Sequence, residues 1–411
     1  MHQHRRLTAI FNEYPRNFWT LVGASFIDHV GGALLFPFFT LYLTRKFNIG
    51  MTTVGVIFLI FTASGMIGST FGGALADRMG RKAILLFSLV FSAGSTLWMG
   101  TINNIEIFFP GAFIIGLLSD VGGPARQAMV ADLLPEEKRA DGFGILRVVM
   151  NLAVTIGPAI GGLLAARSYM LLFISDAVTS MITAVIVFLI LPETRPATPS
   201  DEVDESMVST FAGYGKVLRD RFFMAFIGAS ILIVIVYSQM NSTLGPYLRD
   251  VHGVPEQGFG YILSLNAAMV VLFQFAITRR ITKYPAMVIL AAGSLLYTVG
   301  FAMYGWVSEY SLFLLAMVII TIGEMLQVPI SQALVARIAP EDMRGRYMAV
   351  FGLSWAIPFA IGPLLAGLIM DYGDPHWVWF SAGIVGLIAT FIFVLLRRGE
   401  ETLPETEPTP A

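Results

Sequence analysis

Five ionisable side chains lie deep inside long apolar runs of this chain, Asp28, Asp120, Arg147, Asp176 and Glu324, with Arg126 closer to the end of its run. An ionised group in such surroundings costs several kcal/mol unless it is paired or wetted, so each is a candidate for binding a proton, an ion or a charged solute. Glu324, Gln327 and Ser331 follow i, i+3, i+7 and share one helix face, as Arg147, Asn151 and Thr155 do at i, i+4, i+8. A carboxyl sheltered from water holds a proton more firmly, and a guanidinium brought beside it loosens that hold. The chemistry expected is therefore proton exchange. Glu324 or Asp120 takes up the proton, Arg147 supplies the counter-charge when the acid is empty, and a hydrophobic or cationic solute competes for the same acid. The plainer alternatives are a structural pair between Asp120 and Arg126 and a capping role for Asp176.

Other chemistries are missing from the residue list. There is no cysteine, so disulfides and thiolate sites are excluded, and the five histidines show no metal-ligand spacing. No G-x-x-x-x-G-K-[ST] sequence occurs, and no extramembrane segment is large enough for an enzyme domain. The expected partners are a small-molecule substrate, protons and the lipid bilayer, with no cofactor and no nucleic acid. The chain reads as a monomer.

The elements that must position these charges are membrane helices. Hydrophobic residues make up 56% of the 411, charged residues 13%, and the mean hydropathy is +0.73. Apolar runs recur at intervals suited to crossing a bilayer with about 20 helical residues each. They predict an all-α protein with twelve spans, at 17–43, 52–76, 82–101, 106–133, 140–166 and 169–191, then 222–248, 257–279, 284–305, 310–338, 346–371 and 375–397. The first run follows no cleavable signal and is expected to stay as a membrane helix.

With both termini placed in the cytoplasm, the inner segments hold 20 of the 26 Lys and Arg residues. Outer loops then hold Arg45, Lys46, Arg167 and Arg249, an asymmetry that orients the chain, with a bacterial inner membrane the expected location. Residues 192–221 form an acidic, Pro-containing linker, and 398–411 a tail too polar to pack. The expected organisation is a six-helix bundle over 1–191, the linker, a second six-helix bundle over 222–397, and the disordered tail.

The halves are related. Residues 127–164 and 332–369 match in register at an offset of 205, sharing Gln, Pro-Glu, Arg and Gly-Pro, and the same offset pairs Gly23-Ala24-Ser25 with Gly228-Ala229-Ser230. It also carries Ser119 onto Glu324, so that Asp120 and Glu324 occupy the middles of equivalent spans. Duplicated membrane halves imply a substrate site at their meeting.

Three motifs remain. Gly73, Asp77, Arg78, Gly80, Arg81 and Lys82 follow the pattern G-x-x-x-D-R-x-G-R-K between spans two and three. Span five carries Gly157, Pro158, Gly161 and Gly162 as G-P-x-x-G-G, and span eleven repeats it as Gly362, Pro363 and Gly367 with Ala366 in place of one glycine. Asp28 and Pro37 stand nine apart in span one.

Together these resemble the major facilitator superfamily of secondary transporters, most closely its twelve-helix drug:proton antiporters. The resemblance implies two pseudo-symmetric bundles rocking around a central cavity, and a conformational latch in which Asp77 contacts the opposite half. It also implies a bend in span five associated with antiport. Without the name, the loop is a positively charged cytoplasmic turn and the glycines are small-residue helix packing. In drug exporters an arginine linked to proton transfer stands about twelve residues before Pro124, where this chain has Ala112. The function implied is proton-coupled efflux of small amphipathic or cationic compounds. The alternatives are transport of a polar metabolite such as a sugar, peptide or organic anion, and a transporter-like receptor.

Overall fold

The computed structural model describes residues 13–195, 214–340 and 343–400. Most of the linker and residues 401–411 of the tail lie outside the described residues. Long apolar runs in a solvent without hydrogen-bonding partners must satisfy their own amides, and helices do so. The first half forms α1 (Arg16–Phe47), α2 (Met51–Met79), α3 (Arg81–Thr101), α4 (Ile105–Ser119), α5 (Gly122–Leu133), α6 (Glu136–Ala165) and α7 (Tyr169–Ile190). The second forms α8 (Arg221–Ser242), α9 (Leu244–His252), α10 (Glu256–Ile281), α11 (Ala286–Met303), α12 (Tyr310–Ile338), α13 (Arg344–Tyr372) and α14 (Trp377–Glu400). Counting α4 and α5 together, twelve spans are long and apolar enough to cross a membrane among the described residues.

Three spans differ instructively from the sequence expectation. Span four breaks at Asp120 and Val121, between α4 and α5. Pro124 has no N–H to give the carbonyl of Asp120, and Gly122 and Gly123 lower the resistance to a turn, which Gly123 N–H closes onto Asp120 O at 3.3 Å. In the repeat, Pro329 follows Gln327 and Val328 instead of two glycines, and α12 runs through it. Span seven ends at Ser242, and the residues up to His252 form the separate α9. The last span also runs on to Glu400, three residues into the expected tail, because Glu400 is anchored there. Its carboxylate accepts from Ala286 N and Met287 N at 2.8 and 2.9 Å and pairs with Arg337 at 2.8 Å. It thereby caps α11, whose first amides have no partner within the helix.

The chain forms two compact units. Unit 1 comprises residues 1–48, 60–200 and 255–264, and its core includes Phe18, Leu21, Leu85, Met129 and Val187. Here α6 lies close on α1, since a Cβ added to Gly157 would stand 2.4 Å from Ala33 Cβ and one added to Gly161 would stand 2.5 Å from Leu34 O. Gly161→Val should push these helices apart and cost about 1–3 kcal/mol, the usual range for overpacking. A lowered unfolding temperature of the purified protein checks this.

Unit 2 comprises residues 49–59, 201–254 and 265–411, with a core around Phe223, Phe226, Leu290, Leu334 and Phe351. The start of α2 belongs here because Asp371, at the end of α13, accepts from Met51 N and Thr52 N at 2.9 and 2.7 Å.

At the far end of α9, His252 lies against Phe313, Tyr247 and His376, with ring centroids 4.9, 5.1 and 6.3 Å away. Burial, and then the charge of His376, press the His252 imidazole below its ordinary 6.5. Asp374 is held below the usual carboxylate range by hydrogen bonds from the His376 backbone and ring. The folded state prefers neutral His252. Its packing is therefore undisturbed above 6.5 and weakens as pH falls below that value. The protection factors of the α9 amides, corrected for the intrinsic slowing of exchange in acid, should fall on acidification in the wild type and stay level in His252→Gln.

Candidate functional site

Each unit buries an acid among polar side chains of neighbouring helices. In unit 1, Asp28 on α1 meets Arg126 on α5, with Asp28 Oδ2 2.6 Å from the guanidinium and both side chains largely buried. Ser180 of α7 donates to Asp28 Oδ1 at 3.0 Å. The other guanidinium nitrogen lies 3.2 Å from His29 Nδ1, which is also 2.9 Å from the carbonyl of Ser25. Nδ1 can donate to that carbonyl or accept from the arginine, but not both. The alternative of a structural pair between Asp120 and Arg126 is not realised; Arg126 turns to Asp28, across to α1. Elsewhere on α7, Asp176 is buried and accepts from Thr96 Oγ1 at 2.8 Å, so it binds α7 to α3 instead of capping a span.

In unit 2 the acid has neutral company. Asn266 Nδ2 of α10 donates to Glu324 Oε2 at 2.7 Å and also reaches Thr321 Oγ1 at 3.0 Å. Tyr237 OH of α8 donates to Glu324 Oε1 at 3.1 Å. Glu324 forms no ion pair among the described residues. The Tyr237 ring stands 5.8 Å from that of Tyr297 and 5.9 Å from that of Trp355, an aromatic wall beside the carboxyl. Three helices thus converge on one carboxylate. Tyr237 and Asn266 as its partners are not marked by any spacing in the sequence.

The remaining candidates are distributed as follows. Asp120 sits at the α4–α5 break, where a Cβ on Gly65 would meet its Oδ2 at 2.4 Å. Gln327 is buried, with Nε2 donating to Leu290 O at 2.9 Å and to Ser294 Oγ, so it ties α12 to α11. Arg147 and Asn151 are exposed on α6, and Arg147 forms no ion pair among the described residues. Pro158 and Pro363 lie inside continuous helices. A Cβ on Gly162 would meet Gly260 Cα at 2.9 Å, and one on Gly362 would meet Ser238 Oγ at 2.4 Å, so both mark close packing.

The charged loop between α2 and α3 is built as a clasp on α7. Gly80 takes φ 104°, a conformation other residues avoid, and a Cβ there would stand 2.4 Å from Glu193 Oε2. Glu193 in turn accepts from Arg81 N at 2.8 Å and Lys82 N at 3.2 Å, capping α3 as Glu400 caps α11. Lys82 Nζ donates to the carbonyls of Phe188 and Leu191, and Arg195 donates to Arg78 O. Arg81 pairs with Asp77 at 3.2 Å and Asp132 at 3.0 Å, while Asp77 itself stays 68% exposed. Gly73 has Pro124 Cβ as its nearest neighbour, at 3.9 Å.

Among the described residues, twelve spans long and apolar enough to cross a membrane define a multi-pass membrane protein. Comparison with known proteins narrows the class. The Major Facilitator Superfamily profile matches residues 21–361 and 241–411. The chain is 27% identical over 404 residues to a Na(+), Li(+), K(+)/H(+) antiporter of Planococcus maritimus, covering 91% of this chain and 94% of that protein. It is 24% identical to the multidrug resistance protein MdtH of Shigella flexneri, covering 88% and 89%. Among solved structures it resembles the nucleoside transporter NupG, with a TM-score of 0.76, 13% identity and coverage of 93% and 99%, a likeness of fold alone. The chain belongs to the Major Facilitator Superfamily and is a secondary transporter of that type.

Proposed function

We propose that this transporter exchanges protons for small cationic or amphipathic solutes, exporting them by alternating access of its two halves. The observation that carries the reading is Glu324. Its two oxygens are held by the neutral donors Asn266 and Tyr237, and no cation balances it among the described residues. A carboxylate at membrane depth without a counter-ion is costly, and a proton or a cationic solute each removes that cost. A site that accepts one or the other, and not both, is the minimum an antiporter needs. The wall formed by Tyr237 and Trp355 offers ring faces to a cation or an amphipathic solute.

The relatives support the choice of cargo, one being named an alkali-cation/proton antiporter and another a multidrug resistance protein. Asp28 already has its charge balanced by Arg126, which favours Glu324 as the exchanging acid and gives the Asp28 pair a positioning role. Asp120, at a helix break, is a second proton site in this scheme, and exposed Arg147 the counter-charge. Exposed Asp77 is free on one side to act as the conformational latch. Cytoplasmic termini complete the reading.

The test is flux from proteoliposomes under an imposed pH gradient, comparing cationic dyes and alkali cations with sugars and organic anions. Proton-driven movement of a dye or an alkali cation is the expected result. Movement of a metabolite with neither of these overturns it.

A further inference from the structure

One hydroxyl of unit 2 is buried with nothing to bond. Ser230 on α8 is 4% exposed, and its Oγ has no hydrogen-bond partner among the described residues. Such an orphaned group costs roughly 1–3 kcal/mol, which calls for a partner from outside the protein. Ser230 lines a cavity together with Tyr237, Gln327, Ser331, Ser354 and Trp355. This cavity gives a water-sized sphere about 20 Å³. One buried water needs roughly 10–15 Å³ of such room, whereas a drug-sized ligand needs several hundred.

The neighbouring hydroxyls decide how a water would bond. Ser331 Oγ donates to Gln327 O at 2.8 Å, Ser354 Oγ to Phe351 O at 2.6 Å, and Tyr237 OH to Glu324. Each has committed its single proton and keeps lone pairs, whereas the Ser230 proton is uncommitted. A water that accepts from Ser230 and donates to two of the others makes three bonds, the number typical of buried waters.

We propose that this cavity is a water site, and that the water carries the coupling proton between Glu324 and the Arg221 end of unit 2 through the Tyr237 hydroxyl. The proposal rests on Glu324 being the proton-binding acid. With Glu324 ionised, Tyr237 donates to it. With Glu324 protonated, the carboxyl donates to the Tyr237 oxygen and the phenol proton turns toward the water. In the transfer the carboxyl O–H bond breaks as a bond to the Tyr237 oxygen forms. The phenol O–H breaks as the water gains that proton, and the water gives one of its own to solvent water entering from the Arg221 end of the unit. Each intermediate oxygen loses one proton as it gains one, and a single positive charge moves. Ser230 lies seven residues from Tyr237, and Ser331 seven from Glu324, each a displacement of about 10 Å along its helix. Both displacements run toward the same end of the unit.

Ser230→Val puts methyl groups in the water's place and gives them nothing to bond. Proton-driven transport should fall about tenfold, the worth of roughly one hydrogen bond in the rate-limiting transfer. Substrate counterflow, which moves no net proton, should be unchanged. Wild-type proton-driven rates in Ser230→Val, beside a Glu324→Gln that has lost them, overturn the water relay and leave the acid in place. Retained coupling in Glu324→Gln overturns the acid itself. A check that needs no variant is a wild-type density map with ordered waters. A water bonded to Ser230 Oγ is expected, and a dry cavity removes the proposal.

Discussion

Glu324→Gln should reduce proton-driven transport on the order of 100-fold, the low end of what removing an essential acid–base group does, and should also weaken the binding of a cationic cargo that takes the same carboxylate. Glutamine keeps the volume of the side chain and one acceptor, so Tyr237 OH retains its partner. The other oxygen becomes an NH2 that faces Asn266 Nδ2, donor against donor. Asn266 can flip to accept, giving up its bond to Thr321 Oγ1 at 3.0 Å. The structural penalty is then about one neutral hydrogen bond, roughly 1 kcal/mol, and the variant should fold. Glu324→Asp, shorter by one methylene, keeps an ionisable group but draws it back from Tyr237 and Asn266. It should give slow yet still coupled transport. Flux in matched proteoliposomes, with and without a pH gradient, measures both.

Arg126→Ala should be among the most destabilising single changes in unit 1. It removes the guanidinium 2.6 Å from Asp28 and leaves that carboxylate with Ser180 alone. Breaking one side of a buried ion pair costs about 3–5 kcal/mol, because the stranded charge has lost both water and partner. Replacing both members, Asp28→Asn with Arg126→Gln, leaves two neutral hydrogen-bonding groups and should recover most of that loss. Thermal unfolding in detergent separates the three proteins. Equal unfolding temperatures for the wild type and Arg126→Ala would mean the pair contributes no stability. If the double variant is as unstable as the single one, the loss lies in packing, not in a stranded charge.

The sequence carried the helices well and the partners poorly. Span limits follow from where apolar runs stop, which is a local property, and Tyr310–Ile338 lies where hydropathy places it. The break at Asp120 was also local in cause, since Pro124 and two glycines supply it, but Pro329 stands in an unbroken helix with only its neighbours changed. Proline alone therefore decides little. Pairing depends on how helices pack. Asp28 and Arg126 are 98 positions apart, and nothing in either run indicates that α1 and α5 face each other there. The same holds for Glu324, whose partners Tyr237 and Asn266 come from two other helices. Tyr237 reads in sequence as one aromatic among many, and its hydroxyl matters only because of where α8 sets it. Gln327 shares the polar face with Glu324, yet packing directs it to α11.

Proton release on cargo binding tests the central claim most directly. Purified protein in weakly buffered solution, with a pH indicator present, is titrated with the cation or cationic dye it transports. If Glu324 holds a proton that the cargo displaces, the wild type releases protons as it saturates, and Glu324→Gln, lacking the carboxylate the cargo takes over, binds the cargo more weakly and releases none. Saturable binding with no proton release by the wild type, or equal release by Glu324→Gln, contradicts the account.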